Sequence, residues 1–427
     1  MPRYARLKTW SGRIASFLWR EFSIQALTFL SGLLIVRSLD KSEYALYTVV
    51  MSMQSTFAVL FDSGLSSGIF AIGGQFHHDR HKLGALLNSA FALRDAICIS
   101  ALALASPLLV WILMRNHASP SFNIAANLIV VLGVYYQLSN SLTSQLRRLL
   151  LDTTGLQQLL LLVAAVRLLG VALIRLFAPV ALAAVLVNAA VAVFQFFQAR
   201  KWYVGEVEST VPPSPEMSGK LRRLMLRQAP SSLYYSIQGQ IGIWLLSFFS
   251  NVGSVADIGA LGRFSMVFAV LNSLVANLAF PRFSRLPADK SVALHYAGIL
   301  AFYVFPGLCI LAVASAKPGV FLWILGSRYS GLTAELPLAL LGFILNGIGG
   351  TMWSLNLARG WILNPFINVS FNGLVQVILI YTLDVHKLSG VLEISVFSGL
   401  AASCLIGGYA VVKMSSGRGK QRTGAAP

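Results

Sequence analysis

Charged residues are scarce in this chain. Asp, Glu, Lys and Arg make up 11% of its 427 residues, and the acidic ones are the rarer, with 15 against 33 basic residues. Soluble domains carry about 25% charged residues. Hydrophobic residues make up 56% and fall in long runs with the length of membrane-spanning helices, more than a soluble fold could bury. The composition predicts an all-α polytopic membrane protein, and the short alternating segments typical of a membrane β-barrel are absent.

Sequence signals for catalysis and metal binding are also missing. The chain contains no phosphate-cradling glycine loop, catalytic triad or zinc motif. His77, His78 and His81 flank Asp79, but their spacing matches no standard metal site, and we interpret them as a solvated loop. The cysteines lie inside apolar runs, where we expect small core residues; they are Cys98, Cys309 and Cys404. We therefore expect no enzyme, no bound metal and no cofactor.

Twelve apolar runs predict membrane spans. They cover residues 17–37, 44–72, 88–114, 122–143, 157–177, 179–199, 229–251, 256–280, 291–314, 334–357, 363–383 and 389–412. One further apolar stretch, 317–331, is short and contains Pro318 and Gly326, so we expect an interfacial loop there.

The basic residues predict the orientation. With the N-terminus inside, 22 of the 33 Lys and Arg residues lie in inner segments and 6 in outer ones, so both termini are expected in the cytoplasm. The net charge of +18 could also suit a nucleic acid. In a membrane protein, however, basic loops face the anionic inner leaflet, and we expect membrane lipids and no nucleic acid as partners.

The longest loop divides the chain into halves. Its proline-rich stretch, 211–215, predicts an extended linker, and 220–227 predicts a basic amphipathic helix on the inner leaflet. We expect an N-terminal six-helix lobe over 1–199, a cytoplasmic linker over 200–228, a C-terminal six-helix lobe over 229–413 and a basic tail over 414–427. Two such lobes around a central cavity are a common transporter plan.

Three short stretches carry a family resemblance. Residues 36–47 read VRSLDKSEYALY, residues 60–65 read LFDSGL, and residues 280–286 read FPRFSRL. They resemble the motifs "aRxLgpexyGxY", "ldlGl" and "fPxxsrl" of polysaccharide-repeat (O-antigen and exopolysaccharide) flippases, in the multidrug/oligosaccharidyl-lipid/polysaccharide exporter superfamily. Ala45 stands where the family usually has Gly, and Asp40 and Lys41 stand where it has Gly-Pro. About a quarter of the chain carries similarity of this kind.

The resemblance implies a function. Such a flippase moves isoprenoid-diphosphate-linked oligosaccharides from the inner to the outer leaflet of the bacterial cytoplasmic membrane by alternating access. In the family, cavity arginines hold the diphosphate, which fits the bidentate fork of a guanidinium. The resemblance also implies a polysaccharide polymerase complex as a candidate partner.

Charges inside the spans are the candidate site residues, because a charge at the centre of a membrane helix costs at least about 2.5–3.5 kcal/mol. Arg20 and Glu21 open the first span, with Gln25 one turn further, and Arg94 and Asp95 lie early in the third. Adjacent residues point about 100° apart on a helix, so we expect each charged doublet to pair with another helix. They form either a polar inner vestibule or interhelical salt bridges with snorkelling arginines.

Three further charges lie in the spans. Arg167 sits near the middle of the fifth span, where snorkelling is difficult, and we expect it to face a hydrated cavity. Arg263 lies in the eighth span and could place a second cation at a central cavity. Asp62 lies near the inner end of the second span. Its first alternative is functional, to bind a coupling cation or pair with a vestibule arginine, and its second is structural, to cap or kink the helix before Gly64.

Other functions stay open from the sequence. A multidrug exporter of the same superfamily would favour acidic cavity residues, whereas the deep charges here are mainly arginine. A membrane polysaccharide polymerase or ligase would show a large outer loop, but the largest loop is expected inside. A structural scaffold would not need Arg167.

Overall fold

The computed structural model describes residues 3–422 except 117, 178, 276–278, 281–282, 284–290, 360 and 362. Within these residues the chain forms sixteen α-helices, and it divides into two compact units, Met1–Phe248 and Phe249–Pro427. Helices α1 to α9 are Arg3–Ser38, Lys41–Asp62, Leu65–Gly73, Arg80–Arg115, Pro120–Leu149, Thr153–Phe177, Ala181–Glu206, Pro215–Gln238 and Ile241–Phe249. Helices α10 to α16 are Val252–Leu261, Ser265–Leu274, Ser291–Ala316, Pro318–Leu325, Glu335–Ala358, Pro365–Thr382 and Leu388–Arg422.

The predicted class, an all-α polytopic membrane protein, is confirmed. Nine segments of the described chain are long and apolar enough to cross a membrane. They are Lys41–Phe76, Pro120–Leu149, Thr153–Phe177, Ala181–Glu206, Val252–Leu274, Val292–Ala316, Glu335–Ala358, Pro365–Thr382 and Leu388–Ser415. The other three predicted spans, 17–37, 88–114 and 229–251, stay predictions, and the last of them is shared between α8 and α9.

The predicted loop at 317–331 is wrong. Pro318 is the first residue of α13, and a short 3-10 turn, Ser327–Tyr329, follows the helix. Proline is well tolerated at a helix start, where its missing N–H costs no hydrogen bond. Gly326 ends the helix with a φ of 110°, which only glycine adopts easily. The two residues that suggested a loop therefore mark the ends of a helix.

The first hairpin links α1 to α2 and also fixes the start of α7. α1 ends at Ser38 and α2 begins at Lys41, close to the predicted link. The Glu43 carboxylate accepts a hydrogen bond of 2.6 Å from the backbone N–H of Ala181, the first residue of α7. A carboxylate at a helix start accepts a hydrogen bond from an N–H that has no partner within the helix, and it interacts favourably with the positive end of the helix dipole. Of the third motif stretch, Pro281, Arg282 and 284–286 lie outside the described residues.

The predicted second span is two helices. Ser63, with a φ of 34°, and Gly64, with a φ of 91°, form a left-handed turn between α2 and α3. Glycine adopts this conformation at little cost. The Asp62 carboxylate accepts a hydrogen bond of 3.2 Å from the backbone N–H of Ser66, in the first turn of α3. The second alternative given for Asp62, a cap at this break, is therefore part of its role.

The segment between α7 and α8 lies against α4. The Asn88 amide donates hydrogen bonds of 2.9 and 2.7 Å to the carbonyls of Ser209 and Val211, and Ser214 N–H donates to Ser89 Oγ at 2.9 Å. The Arg80 guanidinium donates to the carbonyls of Gly205 and Glu206. The proline-rich stretch is thus held along its length by the first unit.

Helix α8 has a buried apolar side over 220–227, and the predicted place of this segment on the inner leaflet stays a prediction. Leu221 and Met225 are buried in a core cluster with residues of α3, α4, α5 and α7. The opposite face is exposed and basic; it carries Lys220, Arg222, Arg223 and Arg227. Leu221 and Met225 therefore pack on the protein itself.

The second unit packs α14 along α16, with α12 against α14. The Asn356 amide donates to the Ile406 carbonyl at 3.2 Å, and the buried Tyr296 hydroxyl donates to Asn356 Oδ1 at 3.3 Å. Of the three cysteines expected in the core, only Cys98 is buried, whereas Cys309 and Cys404 are exposed. These two lie on outward faces of apolar helices, so apolar surroundings in sequence did not require burial within the protein.

We predict that Gly84→Ala releases the segment between α7 and α8. A Cβ at this position in α4 would lie 2.1 Å from the Glu208 carbonyl oxygen, so the segment must move. Overpacking of this kind costs about 1–3 kcal/mol. The detergent-purified variant should unfold at a lower temperature, and trypsin should cleave faster at the basic residues of 200–227. Gly74→Ala is the control, since its Cβ would meet nothing within 4 Å; equal behaviour of the two variants would contradict the prediction.

Candidate functional site

A polar cavity of about 660 Å³ lies inside the first unit. Its walls come from α1, α2, α5, α6 and α7. This volume falls in the range of about 300–1,000 Å³ typical of small-molecule sites. The lining residues are Ile24, Thr28, Met51, Gln54, Ser55, Gln137, Asn140, Ser141, Ser144, Gln145, Arg148, Leu160, Val163, Ala164, Arg167, Asn188, Val191, Ala192 and Gln195.

The lining has an unusual composition for a membrane-spanning segment. Six of these residues are amides, four carry hydroxyls, two are arginines, and none is acidic. Polar and charged groups at such depth are costly unless they pair or face water, and they commonly mark a substrate pathway. The cavity is therefore a cationic, hydrogen-bonding compartment.

One face of α5 supplies the largest part of the lining. Its polar residues recur three or four positions apart, which places them on one side of the helix. They are Gln137, Asn140, Ser141, Ser144, Gln145 and Arg148. A single amide in an apolar run does not reveal a site. The helical spacing of several polar residues, in contrast, indicates that they lie on one face of the helix.

A glycine brings α2 and α5 together above this face. A Cβ at Gly133 would lie 2.9 Å from Gln54 Nε2, so only glycine leaves room for that side chain. The Gln54 amide in turn donates to Gln137 Oε1 at 3.3 Å. The close approach fixes the position of two lining amides.

Helix α7 completes the wall with oriented amides. The Asn140 amide of α5 donates to the Ala192 carbonyl at 2.9 Å, across to α7. The Asn188 amide donates to the Ala184 carbonyl at 3.0 Å and to the Tyr47 hydroxyl at 3.3 Å. Because these side chains are held in place, the cavity presents a preorganised set of polar groups.

Two arginines line the cavity from different helices. Arg167, singled out in the sequence, is half-buried on α6. Arg148 lies in the last turn of α5, is exposed, and also lines the cavity. Hydropathy places Arg148 in a basic loop, so the sequence did not identify it as a site residue. The structure thus brings together one expected cation and one unexpected cation.

Arg94 and Asp95 are not among the lining residues. The Arg94 guanidinium contacts Asp95 Oδ1 at 2.5 Å, so the expectation that the doublet would pair only with other helices is wrong. A long arginine side chain folds back to reach its neighbour despite the angle between the two Cα–Cβ bonds. Arg94 also donates to Ser139 Oγ and, at 2.8 Å, to the Tyr135 hydroxyl of α5. With 5% of its surface exposed, Arg94 is a packed link between α4 and α5.

The first-span group lies beside the cavity and not in its lining. Arg20, Glu21 and Gln25 are half-buried on α1, and the Gln25 amide donates to Glu21 Oε1 at 3.4 Å. Their neighbours Ile24 and Thr28 do line the cavity. Arg20 lies on the same face of α1 as Ile24 and Thr28, one turn nearer the N-terminus, whereas Glu21 and Gln25 lie on an adjacent face.

The remaining predicted site residues lie at two helix breaks. Arg263 belongs to the second unit, in the 3-10 turn Gly262–Phe264 between α10 and α11. Asp62 reaches the cavity wall through one residue: its carboxylate accepts a hydrogen bond from Ser66 Oγ at 2.5 Å, and Ser66 Oγ lies 2.6 Å from Ser141 Oγ, which lines the cavity.

The loop that contains His77 and His78 leads into α4, and its Asp79 caps the start of that helix. The Asp79 carboxylate accepts a hydrogen bond of 3.0 Å from Lys82 N–H at the start of α4, which lowers the pKa of that carboxyl. The rings of His77 and His78 lie side by side, with centroids 3.7 Å apart and planes tilted by 46°. Among the described residues, no group of three or more His, Cys, Asp or Glu side chains could hold a metal ion.

Solved structures resemble this chain, although no protein-family model and no curated protein matches it. The lipid II flippase MurJ, in an inward closed conformation, has a TM-score of 0.73 and 14% identity, over 92% of this chain and 86% of its own. An inward-facing multidrug resistance transporter of the MATE family, in the MOP superfamily, has a TM-score of 0.65 and 14% identity, over 92% and 95%. A MOP superfamily transporter from Pyrococcus furiosus, described by a binding pocket of reverse polarity, has a TM-score of 0.61 and 14% identity, over 95% of each chain.

The chain therefore has the fold of transporters of the MOP superfamily, the multidrug/oligosaccharidyl-lipid/polysaccharide exporters. These structural neighbours are transporters and flippases and not enzymes. The shared fold extends over nearly the whole chain, well beyond the three motif stretches.

We predict that Arg94→Met lowers stability but spares transport by the folded protein. The change removes the hydrogen bonds to Ser139, Tyr135 and Asp95, each worth about 1.5–3 kcal/mol. Because an apolar side chain recovers the cost of burying a charge and Asp95 is half exposed, we expect a net destabilisation of about 2–3 kcal/mol. Thermal unfolding in detergent measures the first effect. Transport per correctly folded molecule measures the second, and a loss there at normal stability would instead place Arg94 on the substrate path.

Proposed function

We propose that this protein is a flippase for isoprenoid-diphosphate-linked oligosaccharide repeat units in polysaccharide biosynthesis. The observation that carries the proposal is the cavity of the first unit, whose described lining combines two arginines and six amides and includes no acidic residue. The motif similarity at 36–47, 60–65 and 280–286 supports the same substrate class.

The lining suits both chemical parts of such a headgroup. A guanidinium donates paired hydrogen bonds to phosphate oxygens, so Arg148 and Arg167 are the candidate diphosphate ligands. Amides both donate and accept, as sugar hydroxyls do, and Gln54, Asn140 and Asn188 are held in place to meet them. The volume suits a headgroup, and the isoprenoid tail would stay in the lipid.

The charge of the cavity distinguishes between substrates. An exporter of organic cations needs acidic groups to compensate the buried positive charge. The described lining offers arginine instead. Among the structural neighbours, MurJ is named as a flippase of lipid II and so acts on a lipid-linked substrate.

The cycle we propose is alternating access in the bacterial cytoplasmic membrane, with both termini in the cytoplasm. The substrate enters from the inner leaflet and leaves to the outer one, where a polysaccharide polymerase complex would receive it. A membrane potential supplies about 2.3 kcal/mol per elementary charge per 100 mV. Arg20, Glu21 and Gln25 beside the cavity, and Arg263 in the second unit, are secondary candidates for contact along this path.

The decisive test is the substitution of the cavity arginines in the host. We predict that Arg167→Ala, and Arg148→Ala to a lesser degree, lower flipping by about 10- to 100-fold, because a hydrogen bond to a charged group contributes about 1.5–3 kcal/mol. Surface polysaccharide should fall, and lipid-linked repeats should accumulate on the inner leaflet. Arg175→Ala is the matched control, since Arg175 is exposed on the same helix as Arg167 and does not line the cavity.

Other outcomes would replace the proposal. Unchanged surface glycan with raised drug sensitivity in a deletion strain would indicate a multidrug exporter. Repeat units that reach the outer leaflet but stay unpolymerised would indicate a polymerase or ligase. Normal flipping by both arginine variants would show that the substrate binds outside this cavity.

We also propose Asp62 as a coupling site for a proton or cation, because it touches the cavity wall through Ser66 and Ser141. Asp62→Asn keeps a capping side chain at the break but removes the charge. Flipping in proteoliposomes should then fall severalfold and lose its response to an imposed pH or sodium gradient. A variant that flips at the normal rate with an intact gradient response would leave Asp62 with the capping role alone.

A further inference from the structure

The second unit contains a cavity of its own, of about 470 Å³. It lies between α11, α12 and α14. The lining residues are Ser265, Phe268, Asn272, Phe280, Tyr303, Phe343, Asn346, Gly347, Gly350, Thr351 and Ser354. Four of them are aromatic, five carry an amide or hydroxyl group outside the rings, and none is charged.

Packed aromatic rings form one side of the cavity. Phe268 of α11 and Phe343 of α14 have ring centroids 6.2 Å apart. Tyr303 of α12 is 1% exposed, and its hydroxyl lies against α14 where a Cβ of residue 347 would be. Because residue 347 is glycine, Tyr303 can form part of the wall. The rings give the cavity an apolar side.

The polar part of the lining comes from α14 and α11. Asn346, Thr351 and Ser354 of α14 and Asn272 of α11 add amide and hydroxyl groups to the same lining. The Asn346 amide donates to the Gly342 carbonyl at 2.8 Å, which orients the side chain and leaves its carbonyl oxygen as an acceptor. Gly350 keeps the space open, since a Cβ there would meet nothing within 4 Å.

We propose that this cavity is a binding site for uncharged sugar rings. A pyranose has an apolar face of C–H groups and a rim of hydroxyls, which matches an aromatic wall beside amides and hydroxyls. Pockets that pair apolar walls with a few fixed polar groups are the usual form of small-molecule sites. The proposal rests on the proposed function, because it assigns glycan of that substrate to the second unit.

Other ligands fit this lining less well. A diphosphate needs cations, and the described residues of this lining include none, whereas the cavity of the first unit has two. An organic cation needs an acid, which it also lacks. An isoprenoid tail would make no use of the acceptor that the Asn346 carbonyl oxygen still offers after its amide has bonded to Gly342, and leaving such a group without a partner costs about 1–3 kcal/mol.

Photocrosslinking in living cells tests the site whatever the identity of the sugar. Phe343 is replaced by photoreactive p-benzoylphenylalanine, a residue of related shape, and the protein is purified after irradiation and probed for attached glycan. Val163, in the first cavity, receives the same residue as a test of the proposed function. Phe397 of α16, exposed in the second unit and outside the cavity, is the negative control.

The four outcomes separate the two proposals. Glycan at both 343 and 163 supports both. Glycan at 163 alone overturns the sugar site and leaves the proposed function intact. Glycan at 343 alone supports the sugar site and overturns the headgroup role of the first cavity. Glycan at neither overturns both.

A filled-cavity variant provides the quantitative check. We predict that Gly350→Leu reduces glycan crosslinking at 343 by about tenfold or more, because the leucine occupies the space that the sugar would use. Gly408→Leu is the matched control, an exposed helical glycine of α16 whose Cβ also meets nothing within 4 Å. Equal crosslinking by the two variants, both at wild-type protein levels, would overturn the sugar site.

Discussion

A polar side chain within a membrane must find a partner in the protein or face water, and α5 shows both solutions. On one side of this helix, Tyr135 and Ser139 accept hydrogen bonds from Arg94, so a charge is buried at modest cost. On another side, Gln137 to Arg148 form the polar wall of the cavity. The packing of α4, α2 and α7 around α5 follows from these two faces. The candidate site is thus a consequence of how one helix distributes its polar residues.

The sequence predicted the fold class and identified charges inside apolar runs, but it did not predict the surroundings of those charges. Arg94 and Arg167 are both arginines inside apolar runs, and the sequence showed that Arg94 has an acid beside it and that Arg167 lies near the middle of a span. It did not show that α5 offers Arg94 a phenol and a hydroxyl, or that Arg167 lines a cavity. These surroundings come from other helices, and hydropathy carries no information on which helices meet. Arg148 was missed for the related reason that a charge at a helix end resembles a loop residue.

Helix interruptions were the second weak point of the sequence interpretation. A span of 44–72 was expected as one helix, but Ser63 and Gly64 turn the backbone, and Asp62 starts a new helix through Ser66. Pro318 and Gly326 suggested a loop, but they mark the two ends of α13. The same residues can end or begin a helix, and the choice depends on whether the intervening side chains find a place to pack. Leu322 and Leu325 are buried, which decides the second case.

The exposed face of α8 has a consequence for reconstitution. Its apolar side packs against α3 and α4, so the protein itself fixes the position of this helix. The outer side exposes Lys220, which pairs with Glu216, together with Arg222, Arg223 and Arg227. Each basic residue close to an anionic leaflet gains about 1 kcal/mol, and this gain is lost in a zwitterionic bilayer or at high ionic strength. When this protein is studied in vesicles, the fraction of anionic lipid should therefore be controlled as carefully as the substrate.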